Sequence, residues 1–145
     1  EPTTGVDAVS RSEFWDMLAR LREMGISMLV STPYMDEAGR CDRVALINAG
    51  RILEINTPQG VVEGFDEPLY ALSGEDVFGL LQAARSYPGV RKAYPFGGAH
   101  HLVVGRDFDP QAFAAYLHAE GFGEVSLCRA DPGIEDVFIK RMENA

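Results

Sequence analysis

Early in the chain, apolar residues recur at a helical spacing. Phe14, Leu18 and Leu21 fall at i, i+4 and i+7, Met17 and Met24 widen the stripe, and Arg11, Asp16, Arg20 and Glu23 hold the polar side. This predicts a helix over 8–25. Two starts fit: Ser10-x-x-Glu13 reads as a capping box, and Asp7 as a cap slightly earlier, while Gly25 supplies a stop. Ile26-Ser-Met-Leu-Val30 is a short apolar run of the kind that forms a buried parallel strand. Ser31-Thr-Pro-Tyr34 breaks it, and Met35 to Cys41 can turn once or twice as a helix. Val44 to Ile47 and Arg51 to Ile55 read as strands joined by a tight turn at Asn48-Ala-Gly50, and Thr57-Pro58 opens a further helical turn.

A boundary is expected between Gly64 and Pro68, where Phe65-Asp-Glu-Pro68 interrupts the pattern. Beyond it the periods alternate. Strands are predicted at 69–72, 90–96, 100–104 and 125–129, with a Gly97-Gly98 hairpin turn. Helices are predicted at 75–86, from Asp109-Pro110 to about Glu120, and at 134–142. The order strand-helix-strand-strand-helix-strand is the split βαβ, or ferredoxin-like, arrangement. The expected organisation is α/β, with one domain over 1–65 and a second, βαββαβ with a C-terminal helix, over 66–145.

The 145 residues carry 13 Lys plus Arg against 22 Asp plus Glu, a formal charge of -9. No cluster of cations could follow a phosphate backbone, so nucleic-acid binding is not expected. No apolar run has the roughly 20 residues of a membrane span, and no basic-then-apolar leader opens the chain. Cys41 and Cys128 form no C-x-x-C pair; two cysteines allow one disulfide, but the expectation is two reduced thiols of a soluble intracellular protein. His100 and His101 are neighbours on a predicted strand, so they face opposite ways and cannot chelate one metal; no metal site is expected. The chain opens on Glu1-Pro2 without an initiator Met, as a piece of something longer would.

Two segments concentrate the chemistry. Glu1-Pro-Thr-Thr-Gly-Val-Asp7 sets a carboxylate just ahead of a Gly turn and an Asp that can cap the first helix. Ser31-Thr-Pro-Tyr-Met-Asp-Glu-Ala38 is followed by Cys41-Asp-Arg-Val-Ala-Leu-Ile47 and Gly50-Arg51. In this order and spacing, over roughly the first 60 residues, the chain resembles the ATP-binding subunit of ABC transporters from the end of the Walker B strand onward. The remainder resembles the C-terminal extension of an export-type branch, whose signature is matched by Ile134-Glu-Asp-Val-Phe138.

The resemblance implies a remnant of a P-loop ATPase core, with parallel strands and a helix, followed by the ferredoxin-like domain. It implies that Glu1 orients or deprotonates the water that attacks the γ-phosphate. Gly5, Val6 and Asp7 match the D-loop that lies across a head-to-tail dimer. Pro33 occupies the position of the switch histidine, and a proline offers neither a side-chain donor nor an N–H. No G-x-x-x-x-G-K-[ST] is present, so the phosphate cradle is expected upstream. Leu72-Ser-Gly-Glu75 is a coincidental likeness to the family's signature motif, on the wrong side of the D-loop. The whole subunit would bind ATP and Mg, pair with a second ATP-binding subunit and drive a transmembrane permease, with export the expected direction, from the cytoplasmic face of the cell membrane; the chain alone is expected to do none of this. The alternative from another class is a small ferredoxin-like module with a regulatory, ligand-binding or dimerisation role.

Overall fold

The computed structural model describes residues 1–143. In chain order the elements are α1 (Ala8–Glu23), α2 (Met35–Ala38), β1 (Val44–Asn48), β2 (Arg51–Asn56), α3 (Pro58–Glu63) and β3 (Leu69–Gly74). There follow α4 (Val77–Ser86), β4 (Val90–Phe96), β5 (Ala99–Val104), α5 (Pro110–Ala119), β6 (Val125–Arg129) and α6 (Ile134–Glu143). The protein is mixed α/β, with two antiparallel sheets and six helices among the described residues. None of those helices is long and apolar enough to cross a membrane. The chain divides into two compact units, Glu1–Gly64 with the segment from Gly133 onward, and Phe65–Pro132.

In the first unit α1 starts at Asp7, not at Ser10. The Asp7 carboxylate accepts the N–H groups of Val9 and Ser10 at 3.0 and 3.1 Å, and the Ser10 hydroxyl donates to it at 2.7 Å. These bonds satisfy donors that the first turn of any helix leaves open. Gly25, at φ +85°, ends the helix by taking the left-handed conformation that side chains resist. The apolar stripe on α1 is at most half-buried, and the helix's one buried residue is Trp15, next to Phe14.

The parallel strands expected of this unit do not form. Ile26–Val30 has no strand structure, and Ile26, Met28 and Leu29 are exposed. A strand exists only through ladder bonds to a neighbour, and no described segment pairs with this one. The sheet here is instead the antiparallel hairpin β1–β2, with Val44 opposite Asn56 and Asn48 opposite Arg51. Val44 and Leu46 face inward while Ala45 and Ile47 face out, the alternation of a half-covered antiparallel strand. Thr57 caps α3 by accepting the Gly60 N–H at 3.0 Å, Pro58 takes the first helical position, and Val61 is fully buried. The sequence reading carries the second domain through α6, whereas in the structure α6 clusters with the first unit. There it packs against α2 and α3 with Ile134 and Val137 buried, and Arg141 Nε donates to Glu54 Oε2 on β2 at 3.0 Å.

The second unit follows the predicted element order closely. Its sheet runs β4-β5-β3-β6, every pair antiparallel, so the first and third strands are central. Leu80, Leu81 and Ala84 of α4 and Phe113 and Leu117 of α5 pack with Leu72, Ala93 and Leu102 on one face of that sheet. Fully burying a side chain such as Phe113 or Leu117 contributes on the order of 2 kcal/mol. Both helices have aspartate caps. Asp76 accepts the Gly79 N–H at 2.8 Å, and Asp109 accepts the Gln111 N–H at 2.8 Å. His100 and His101 do face opposite sides: His100 Nε2 lies 2.6 Å from the Val77 carbonyl of α4, and His101 stacks on Phe96.

Candidate functional site

The two segments singled out in the sequence meet at one side chain that the sequence reading passed over. Glu37, on α2, is 2% exposed and accepts three hydrogen bonds. The Thr3 hydroxyl donates to its Oε1 at 2.7 Å, the Thr32 hydroxyl to its Oε2 at 2.6 Å, and Arg11 Nε to Oε1 at 3.2 Å. Thr3 is itself buried, and the Tyr34 N–H donates to the Thr32 hydroxyl at 3.1 Å. Arg11, from the first turn of α1, also reaches Asp36 Oδ2 at 3.1 Å and lies over the Tyr34 ring, 4.5 Å from its centre. A buried carboxylate is tolerated only when its charge and lone pairs are answered, and here every partner comes from outside α2.

Burial by itself pushes the Glu37 carboxyl up. The hydroxyls of Thr32 and Thr3, the Trp15 indole and the Arg11 guanidinium more than offset that, and the group lies below its ordinary value. The Trp15 indole N–H is buried beside this cluster with no hydrogen-bond partner among the described residues. The Asp7 carboxyl is also lowered, chiefly by the Ser10 hydroxyl and amide. Cys41 is pushed up by burial and by the charges of Asp42 and Glu37.

Glu1 is exposed, and its Oε2 accepts the Thr4 hydroxyl at 3.1 Å. Gly5 takes φ +73°, Val6 is exposed, and Asp7 is occupied as the cap of α1. Pro33 is exposed, directly after Thr32. The structure therefore ties Thr3, two residues from Glu1, and Thr32, the neighbour of Pro33, to the same carboxylate. Sequence patterning had no route to this contact: Thr3 and Glu37 are 34 positions apart, and threonines carry no periodicity that would pair them. The available signal was a glutamate in a short helix beside Ala38, a position that ordinary amphipathic patterning leaves exposed.

The hydroxyls of Thr3, Thr4 and Thr32 are already turned to carboxylates, and neither lysine follows a glycine-rich loop. Among the described residues no three His, Cys, Asp or Glu side chains converge as metal ligands.

No protein-family profile matches the chain. Curated relatives do. It is 31% identical, over 100% of this chain, to the Probable multidrug ABC transporter ATP-binding protein YbhF of Escherichia coli (strain K12), covering 25% of that protein. It is 33% identical to the Daunorubicin/doxorubicin resistance ATP-binding protein DrrA of Streptomyces peucetius, over 81% of this chain and 33% of that protein. It is 31% identical to the Nod factor export ATP-binding protein I of Rhizobium leguminosarum bv. viciae, over 97% of this chain and 43% of that protein. This chain is a homologue of ABC-transporter ATP-binding proteins. It spans between a quarter and under half of the length of these ABC relatives. The similarity to YbhF runs through both compact units.

Proposed function

We propose that this chain is the C-terminal part of an ATP-binding subunit of an ABC transporter, of an export system, in which binding and hydrolysis of MgATP are coupled to transport. Residues 1–65 belong to the catalytic core, and the sheet of the second unit is a ferredoxin-like accessory domain. The observation that carries the reading is the whole-length similarity to such proteins, several of them named for drug resistance or export. The junction of the Glu1 and Pro33 segments at Glu37 supports it, because water positioning opposite a phosphate needs both segments held together. In this reading Glu1 fixes the attacking water, Gly5-Val6-Asp7 faces a second ATP-binding subunit, and Pro33 leaves the switch position without a donor. The subunit sits at the cytoplasmic face of the cell membrane, bound to a permease. The phosphate cradle and the Mg ligands lie outside this chain.

The test is single-turnover hydrolysis by the full-length subunit. Glu1→Gln should abolish turnover with nucleotide binding retained. Pro33→His should raise the rate, since one donor to a developing charge in a water-excluded site is worth roughly 10²-fold or more. An unchanged rate in Glu1→Gln overturns the assignment of Glu1 and the core of the reading.

A further inference from the structure

A buried carboxylate that accepts hydroxyl bonds from two separate loops does more than satisfy itself. It fixes the distance between them. Glu37 Oε1 takes the bond from Thr3 and Oε2 the bond from Thr32, so the loops occupy opposite oxygens of one rigid group. Arg11 closes the third side and ties both to α1 through its bonds to Glu37 and Asp36. The Tyr34 N–H extends the chain of bonds past Pro33, through the Thr32 hydroxyl. Pro33 itself contributes no donor, being a proline.

We propose that Glu37 is a positioning residue, whose carboxylate holds the Glu1-bearing segment and the Pro33-bearing loop in register through the bridge Thr3–Glu37–Thr32, along a path that bypasses position 33. Its mechanical part stands on the geometry alone. Its catalytic consequence rests on the function proposed above, in which Glu1 must be held opposite a phosphate. Both hydroxyls are single donors, so deleting either one cuts the bridge while leaving the carboxylate charged and paired with Arg11.

The experiment uses the full-length subunit and three near-isosteric variants, Thr3→Val, Thr32→Val and Glu37→Gln, each checked for folding by circular dichroism. Hydrogen–deuterium exchange reads the bridge. Thr3→Val should raise exchange across residues 31–38 roughly tenfold, although the substitution lies in the other segment. Parental protection of 31–38 in that variant overturns the proposal. Single-turnover and steady-state kinetics read the consequence. Glu37→Gln should lower kcat about 10- to 100-fold with KM for ATP unchanged, the signature of a displaced reacting group and not of weakened binding. Parental kcat in Glu37→Gln, with Glu1→Gln inactive, overturns the positioning role while the proposed function stands. Normal turnover in Glu1→Gln overturns that function instead, and the exchange result still decides the bridge. Should Glu37→Gln fail to fold, the two valine variants decide alone.

Discussion

Glu37 shows how one side chain can be expensive and indispensable together. Removing it as Glu37→Ala would take the acceptor from two hydroxyls and from the Nε of a guanidinium that is three-quarters buried. Loss of a partner from such a cluster costs about 3 kcal/mol, to be read from urea unfolding followed by the fluorescence of Trp15, the chain's one tryptophan. The same network sets a pH dependence. The carboxyls of Glu37 and Asp7 both lie below their ordinary values in the folded protein. Below its unfolded-state pKa each carboxyl is protonated more readily in the unfolded chain than in the folded one. Their stabilisation is therefore complete above the unfolded values, near pH 4, and is lost as pH falls through the lower folded ones. Melting temperature should fall steeply below about pH 4, and the fall should be shallower in Glu37→Gln. An identical acid limb in that variant would remove Glu37 from the explanation.

Among the elements, the β1–β2 hairpin carries visible backbone strain. Its turn places Ala49 at φ 47° and Gly50 at φ 75°, two consecutive left-handed residues of the kind that match the twist of the flanking strands. Gly50 accepts that conformation freely; Ala49 does not, because its Cβ crowds the following carbonyl at about 1–2 kcal/mol. Ala49→Gly removes the clash and adds unfolded-state entropy of about 0.5–1 kcal/mol. The net expectation is a stabilisation of about 0.5 kcal/mol, measured as a higher urea midpoint with unchanged slope. A lower midpoint would mean that the alanine methyl packs usefully. Nothing surrounds Gly50 that a side chain would strike, so its glycine serves conformation alone.

For the molecule entire, the decisive quantity is what its residues can hold. A triphosphate site needs converging amide donors and a lysine, and this chain places no lysine behind a glycine-rich loop. Isothermal titration of the 145-residue chain with MgATP should therefore show no binding tighter than about 1 mM, roughly 4 kcal/mol. Micromolar affinity would require a nucleotide site that the proposed function does not contain. The apolar Ile26–Val30 segment and the half-buried stripe of α1 belong to the same picture, since both are surfaces patterned for neighbours that the described residues do not supply.

Local chemistry makes much of this fold legible in the sequence. Thr57-Pro58, Asn48-Ala-Gly50, Gly97-Gly98 and Asp109-Pro110 each encode a cap or turn within four residues, and each stands where its chemistry puts it. The element order of the second unit was readable for the same reason: every strand there finds its partners inside the unit. Three features were beyond such reading because they depend on contacts distant in sequence. Ile26–Val30 has the composition of a buried strand and lacks the ladder that would make it one. Helix α6 follows β6 in the chain, yet its Arg141 answers a carboxylate 87 positions earlier. Glu37 looks like any surface glutamate until folding brings Thr3, Arg11 and Thr32 around it. Short-range patterns determine where an element starts and stops; a buried charge takes its meaning from partners that only the packed chain can deliver.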